Sequence, residues 1–136
     1  MKEMEFAAED GELQNATDFI TGCVEKECSP AIMMKLEISI EEIFVNISHY
    51  AYRDSEEKPG KVRIRCSVEN DFLEMTFIDR GTPYNPLEKE DPDITLNAQD
   101  RPIGGLGIFM VKKYMHDMHY EHADGENRLT LVMKLA

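Results

Sequence analysis

No run of apolar residues in this 136-residue chain approaches the roughly 20 needed to cross a bilayer as a helix. The opening MKEMEFAAED alternates and carries acidic charge, and it lacks the basic start and apolar core of a secretory signal. The expectation is a cytoplasmic protein away from membranes. Cysteine is scarce. Cys23, Cys28 and Cys66 form an odd, scattered set without CxxC spacing, so buried reduced thiols are expected in preference to disulfides or a zinc site. Basic residues are also short: 15 Lys and Arg stand against 27 Asp and Glu, a formal charge of -12. Nonspecific binding to nucleic acid or to an anionic membrane surface needs the opposite balance and is not expected. A basic protein partner would suit this charge. There is no internal repeat and no low-complexity run, and 42% hydrophobic residues suffice for one domain over 1–136.

What is present centres on the stretch from Ile78 to Val111. Leu73, Met75 and Phe77 alternate as one face of a strand that ends at Asp79, and Arg80-Gly81-Thr82-Pro83 follows as a tight turn. A carboxylate is thereby fixed at a strand end beside close-packed backbone. Further on, Gly104-Gly105-Leu106-Gly107 opens an apolar helical pattern of Ile108, Val111, Tyr114 and Met115. The free amides and positive dipole end of such a helix suit phosphate. An acceptor for a base amino group at one end and a glycine-lined helix start at the other together suit a nucleotide.

The remaining periodicities supply a scaffold. Met4 and Phe6 alternate as in a short edge strand, and Leu13, Ala16, Ile20 and Val24 predict a covering helix over about 10–27. Ser29-Pro30 is a helix start, Ser as cap and Pro in the first turn, with the pattern running to about Tyr52. The stripe of Ile32, Leu36, Ile40, Ile43 and Ile47 must pack on something broad, best a sheet. Val62, Ile64, Cys66 and Val68 alternate in a strand, Asn70-Asp71 turns the chain, and Phe72 to Ile78 returns. A final hairpin is expected from Tyr120 to His122 and Leu129 to Leu135 around a four-residue turn, Asp124 to Asn127. The last strand is apolar on both faces, which fits a central strand or a surface used by another subunit. His116, His119 and His122 straddle a helix end and a strand start, so a metal site there is not expected.

Glu42 and Asn46 lie four apart on the second helix and are stacked neighbours beside its apolar stripe. Taken alone, an ExxxN pair reads as a solvated helix edge. Its companions change that. EEIFVNISHYAY, IDRGTPYNP and GGLGIFMVKKYMHDMHYE, in that order, resemble the N box and the two glycine boxes of the GHKL ATPase superfamily. Among its members, the chain is most similar to the small stand-alone anti-sigma regulatory factor serine/threonine kinases of bacteria. The resemblance covers nearly the whole chain and implies an α+β Bergerat fold: a two-layer sandwich of a mixed, mostly antiparallel sheet with helices on one face.

The resemblance implies that Glu42 is the catalytic base and that Asn46 holds Mg2+ already carried by ATP or ADP. It implies that Asp79 accepts the adenine amino group and that Gly81 shapes the pocket. Gly104, Gly105, Leu106 and Gly107 would surround the phosphates, and Thr130 would lie near the adenine. Residues 84–103 would form a lid, with Arg101 reaching either a phosphate or a partner. The implied activity is phosphoryl transfer from ATP to a serine of a small anti-sigma factor antagonist-like protein, with a sigma factor or other regulatory protein as a further partner. A homodimer is compatible with both the resemblance and the doubly apolar last strand. A second reading keeps the fold without the chemistry: a nucleotide-gated protein-binding module. The catalytic domain of a histidine kinase fits less well, since no helix pair with a phospho-accepting His precedes the N box.

Overall fold

A computed structural model of the chain describes residues 1–56, 58–88 and 106–136. Two hairpin turns set the register of its sheet. Asn70 and Asp71 take φ of 50° and 67°, and Asp124 and Gly125 take 55° and 76°. Asn, Asp and Gly tolerate this left-handed region best, and two such residues in succession twist with the strands they join. The first turn joins β2 (Lys61–Glu69) to β3 (Phe72–Asp79), and the second joins β4 (Asp117–Ala123) to β5 (Glu126–Lys134). The second is two residues shorter than the expected turn over 124–127, so Glu126 and Asn127 belong to β5.

With β1 (Lys2–Ala7), these strands form a five-stranded sheet in the order β1-β2-β3-β5-β4. All four pairings are antiparallel, where a mixed, mostly antiparallel sheet was expected. β5 lies between β3 and β4, and in register Asp79 faces Asn127, Phe77 faces Leu129 and Thr76 faces Thr130. Because side chains alternate between faces, Asp79, Asn127, Phe77 and Leu129 share one face, and Thr76 and Thr130 share the other.

Three helices cover the first of these faces: α1 (Leu13–Cys23), α2 (Pro30–Asn46) and α3 (Leu106–Tyr114). The Ser29 hydroxyl caps α2 by accepting from the Ile32 amide at 3.2 Å. Leu36, Ile40 and Phe44 of α2 are wholly buried with Ala16 and Ile20 of α1, against Ile64, Leu73, Met75 and Leu131 of the sheet. Burial of each large side chain contributes about 1.5–3 kcal/mol, which outweighs the few tenths that separate helix propensities. Packing therefore fixes where these helices lie. The α-helix expected to run to Tyr52 changes at Asn46 into a wider π turn over Ile47–Ala51. There the Ser48 hydroxyl donates back to the Phe44 carbonyl at 3.0 Å, a contact of the kind that bends helices.

Cysteine usage departs from expectation. Cys23, at the end of α1, and Cys66, in β2, form a disulfide across a sequence separation of 43 residues, while Cys28 is free. Spacing along the chain held no sign of this pairing, because α1 meets β2 only in the folded domain.

The opposite sheet face is charged. The buried Glu126 carboxylate lies 2.9 Å from Arg128, 3.3 Å from Arg63 and 3.5 Å from Arg80. Its hydrogen bond to Arg128 holds its pKa below the ordinary 4.5 against the opposing effect of burial, with Arg63 adding to the effect. The stabilisation is thus present above pH 4.5 and lost as pH falls through the folded-state value. Glu126→Gln is expected to lower unfolding stability at pH 7 by about 1–3 kcal/mol, less than a fully buried pair because the arginines are partly exposed. Urea denaturation of both proteins checks this: the gap between their midpoints should shrink as pH falls below 4.5.

Candidate functional site

A cavity of about 550 Å³ opens between α2 with its π turn, the inner face of β3 and β5, and the chain after β3. Phe77, Ile108 and Leu129 give it apolar walls. Its polar groups sit at two places, Glu42 and Asn46 on α2 and Asp79 with Asn127 on the sheet. An apolar cleft with a few placed polar groups is the usual form of a small-molecule site.

Asp79 reaches this wall because β3 ends there with an inward-facing residue. It is buried, and one oxygen, Oδ1, accepts from the Asn127 amide nitrogen and from the Gly81 backbone amide, each at 2.9 Å. Burial raises its pKa, opposed by these two hydrogen bonds and by the nearby His122. The donors are thus what allow a carboxylate to remain in an apolar wall. Among the described residues, none donates to Oδ2. That oxygen can take one hydrogen from a ligand.

The turn after Asp79 is held from below by the end of the π turn. The Thr82 amide donates to the Ala51 carbonyl at 2.8 Å, and a side chain at Gly81 would collide with the same carbonyl. Backbone cannot swing away, so position 81 has no room for a Cβ. Tyr52, buried, receives the Arg80 amide at 2.9 Å and donates to the Lys61 carbonyl.

At the other end, the Asn46 amide nitrogen donates to Glu42 Oε1 at 3.1 Å. This orientation leaves the amide oxygen of Asn46 available. Gly107, in the first turn of α3, lies so close to the Glu42 carboxyl that a Cβ there would overlap it. The carboxylate therefore sits at the amide-rich start of α3, where the helix dipole favours negative charge.

Glu42, Asn46 and Asp79 all line the same cavity, with Gly81 and Gly107 packed beside it. Leu106 begins α3. Gly104, Gly105, Arg101 and the span 89–103 lie outside the described residues. Thr130 is placed elsewhere: it is on the far face of the sheet, its hydroxyl 3.0 Å from that of Thr76. Asn127, which sequence reading left in the last turn, lies beside Asp79. Its amide nitrogen also lies 3.1 Å from the Thr82 carbonyl, and its oxygen accepts from the Tyr84 amide at 3.3 Å and from the Tyr120 hydroxyl. The signal that could have found it is Asp124-Gly125, a dipeptide that favours a two-residue turn and so starts the strand at Glu126.

Residues 6–133 match the histidine kinase-like ATPase domain family. Among curated proteins, the serine/threonine-protein kinase BtrW of Bordetella bronchiseptica is 24% identical over 76% of this chain and 71% of its own length. The serine-protein kinase RsbW of Bacillus mycoides is 30% identical over 68% of this chain and 59% of its own. The structure of the RsbU and RsbW domains of Rv1364c from Mycobacterium tuberculosis superposes on 99% of this chain and 33% of that chain, with a TM-score of 0.62 at 13% identity. That last likeness bears on the fold alone, and most of the named kinase relatives extend well beyond the part matched here. A family match over 6–133, an α+β sheet covered on one face, and similarity to serine kinases agree: this chain belongs to the histidine kinase-like ATPase domain family.

Proposed function

We propose that this protein is an ATP-dependent protein serine/threonine kinase that acts as an anti-sigma factor-like partner switch, transferring the γ-phosphoryl group to a serine of a small antagonist protein. The observation that carries the reading is the placement of Glu42, Asn46 and Asp79 on one cavity, with a single open carboxylate oxygen at one end and a carboxylate paired with an amide at the other.

In this reading the base lies between Phe77, Leu129 and Tyr120, and Asp79 Oδ2 accepts its amino hydrogen. The triphosphate extends toward the start of α3, where Gly107 packs on the Glu42 carboxyl, and the family resemblance assigns Gly104, Gly105, Leu106 and Gly107 to the phosphates. No described cluster of His, Cys, Asp or Glu could hold a metal ion unaided. The free oxygen of Asn46 fits Mg2+ that arrives with the nucleotide, being a hard neutral donor of the type that ion accepts when phosphates and water supply the rest. When bound, the ion would neutralise charge on the phosphate oxygens. Glu42 then orients the acceptor hydroxyl and takes its proton, while Asn46, bonded to Glu42, holds the carboxylate in place. The family resemblance assigns the segment 84–103 to the lid, and the acidic surface receives the protein partners. We assign the protein to the cytoplasm; among the described residues no helix is long and apolar enough to cross a membrane.

The direct test is transfer from γ-labelled ATP and magnesium into proteins of the source cell. Glu42→Ala should lose about 10²- to 10⁴-fold in transfer rate, the contribution of one positioned base, while ATP affinity stays within a few-fold. Equal transfer by the two proteins would remove Glu42 from the chemistry. No transfer by a wild type that binds ATP would favour the nucleotide-gated module instead.

Asp79→Asn separates binding from folding. Because burial raises the Asp79 pKa, its ionised form costs stability at neutral pH, and the cost declines as pH falls below the folded-state value and vanishes below the ordinary 3.8. The amide keeps an acceptor for the Gly81 and Asn127 donors and removes the charge. Thermal unfolding without nucleotide should therefore be unchanged or shifted upward at pH 7. ATP affinity should drop about 10- to 100-fold, a hydrogen bond to a charged group. A variant that unfolds at clearly lower temperature would contradict this account of the buried carboxylate.

A further inference from the structure

Asp79 alone does not explain a preference for adenine. A carboxylate with both oxygens open offers two parallel acceptors, which match the adjacent ring N–H and amino N–H of guanine. Adenine offers one amino donor beside a ring nitrogen that accepts. A bare buried Asp would thus suit guanine at least as well, and something must close one of its oxygens.

Asn127 does this. It is in register with Asp79 across β3 and β5, buried, and its amide nitrogen is 2.9 Å from Asp79 Oδ1, which also accepts from the Gly81 amide. With two donors on Oδ1, the carboxylate presents Oδ2 as its one open acceptor. The amide cannot serve equally well turned over. Its oxygen already receives the Tyr120 hydroxyl and the Tyr84 amide, and its nitrogen faces three acceptors, Asp79 Oδ1 and the carbonyls of Gly81 and Thr82. A flip would set acceptor against acceptor at Asp79 Oδ1 and the two carbonyls and donor against donor at the Tyr84 amide, four mismatches that no hydroxyl rotation relieves. Burial raises the Tyr120 pKa, so its hydroxyl keeps the proton it donates.

We propose that Asn127, oriented by Tyr120, is the base-selectivity residue of this site: by occupying Asp79 Oδ1 it converts a two-acceptor carboxylate, suited to guanine, into a one-acceptor group that takes the amino hydrogen of adenine. The inference rests on the nucleotide reading above and deepens it. Asn127 acts through Asp79 and is a positioning residue, so the decisive readout is a ratio of affinities.

Calorimetric titration of ATP and of GTP into wild type, Asn127→Ala and Tyr120→Phe tests it. Wild type should prefer ATP, and Asn127→Ala should narrow the ATP to GTP preference by about 10- to 100-fold, the scale of one hydrogen bond to a charged group. Tyr120→Phe, which leaves the amide in place with one restraint fewer, should narrow it in the same direction by less. Should Asn127→Ala fail to fold, the Tyr120→Phe ratio decides. A ratio unchanged in the folded variants, with both nucleotides weakened equally, would show a merely structural role and overturn the assignment while leaving ATP binding intact. Failure of wild type to bind ATP would overturn the nucleotide reading as well.

Discussion

The carboxylate of Asp79, buried at the end of β3, constrains the rest of this structure. Asp79 lies in an apolar wall, where an unpaired charge would be too costly to keep, and it stays only because donors converge on it from two directions. One is the Gly81 amide, presented by a turn that closes within two residues. The other is the Asn127 side chain, brought across from the neighbouring strand. Each donor needs its own support. The turn leans on Ala51 and Tyr52 at the end of the π turn, and Asn127 is aligned by the hairpin between β4 and β5. The widened turn after α2 and the left-handed Asp124-Gly125 pair are thus parts of one arrangement that presents one acceptor oxygen to a cleft.

The cleft is asymmetric in its chemistry. Near the sheet, the polar groups satisfy one another except at Asp79 Oδ2 and sit between apolar side chains, which favours a flat ring with few, well-placed donors. Near α2 and α3, a carboxylate and an amide meet the start of a helix, a set of groups that can orient a reacting hydroxyl. The far face of the sheet has different work: Glu126 there gathers Arg63, Arg80 and Arg128. The two residues that open β5 therefore divide between the faces, Glu126 to the charged ladder and Asn127 to the cavity.

Much of this was legible in the sequence, for reasons that differ by element. The hairpin at Asn70-Asp71, the Ser29-Pro30 helix start and the alternation of β2 and β3 follow from local rules of turn, cap and period. Local patterns do carry such information. Asp79, Glu42 and Asn46 were legible as one site only through the order and spacing of three boxes, because no local rule joins a helix flank to a strand end. Asn127 was missed by reading a four-residue turn where Asp124-Gly125 makes a two-residue one. The same strand register puts Thr130 on the far face, and only the pairing with β3 reveals it. The disulfide between Cys23 and Cys66 was illegible on similar grounds, since it depends on how α1 lies against β2.

The most direct test of the account is a crystal structure of the protein with a non-hydrolysable ATP analogue and magnesium. The account predicts the adenine amino group within hydrogen-bond distance of Asp79 Oδ2, Asn127 still on Oδ1, and the phosphates between Asn46 and the start of α3. An adenine ring bound elsewhere, or one in this cavity whose amino group makes no contact with Asp79, would contradict it.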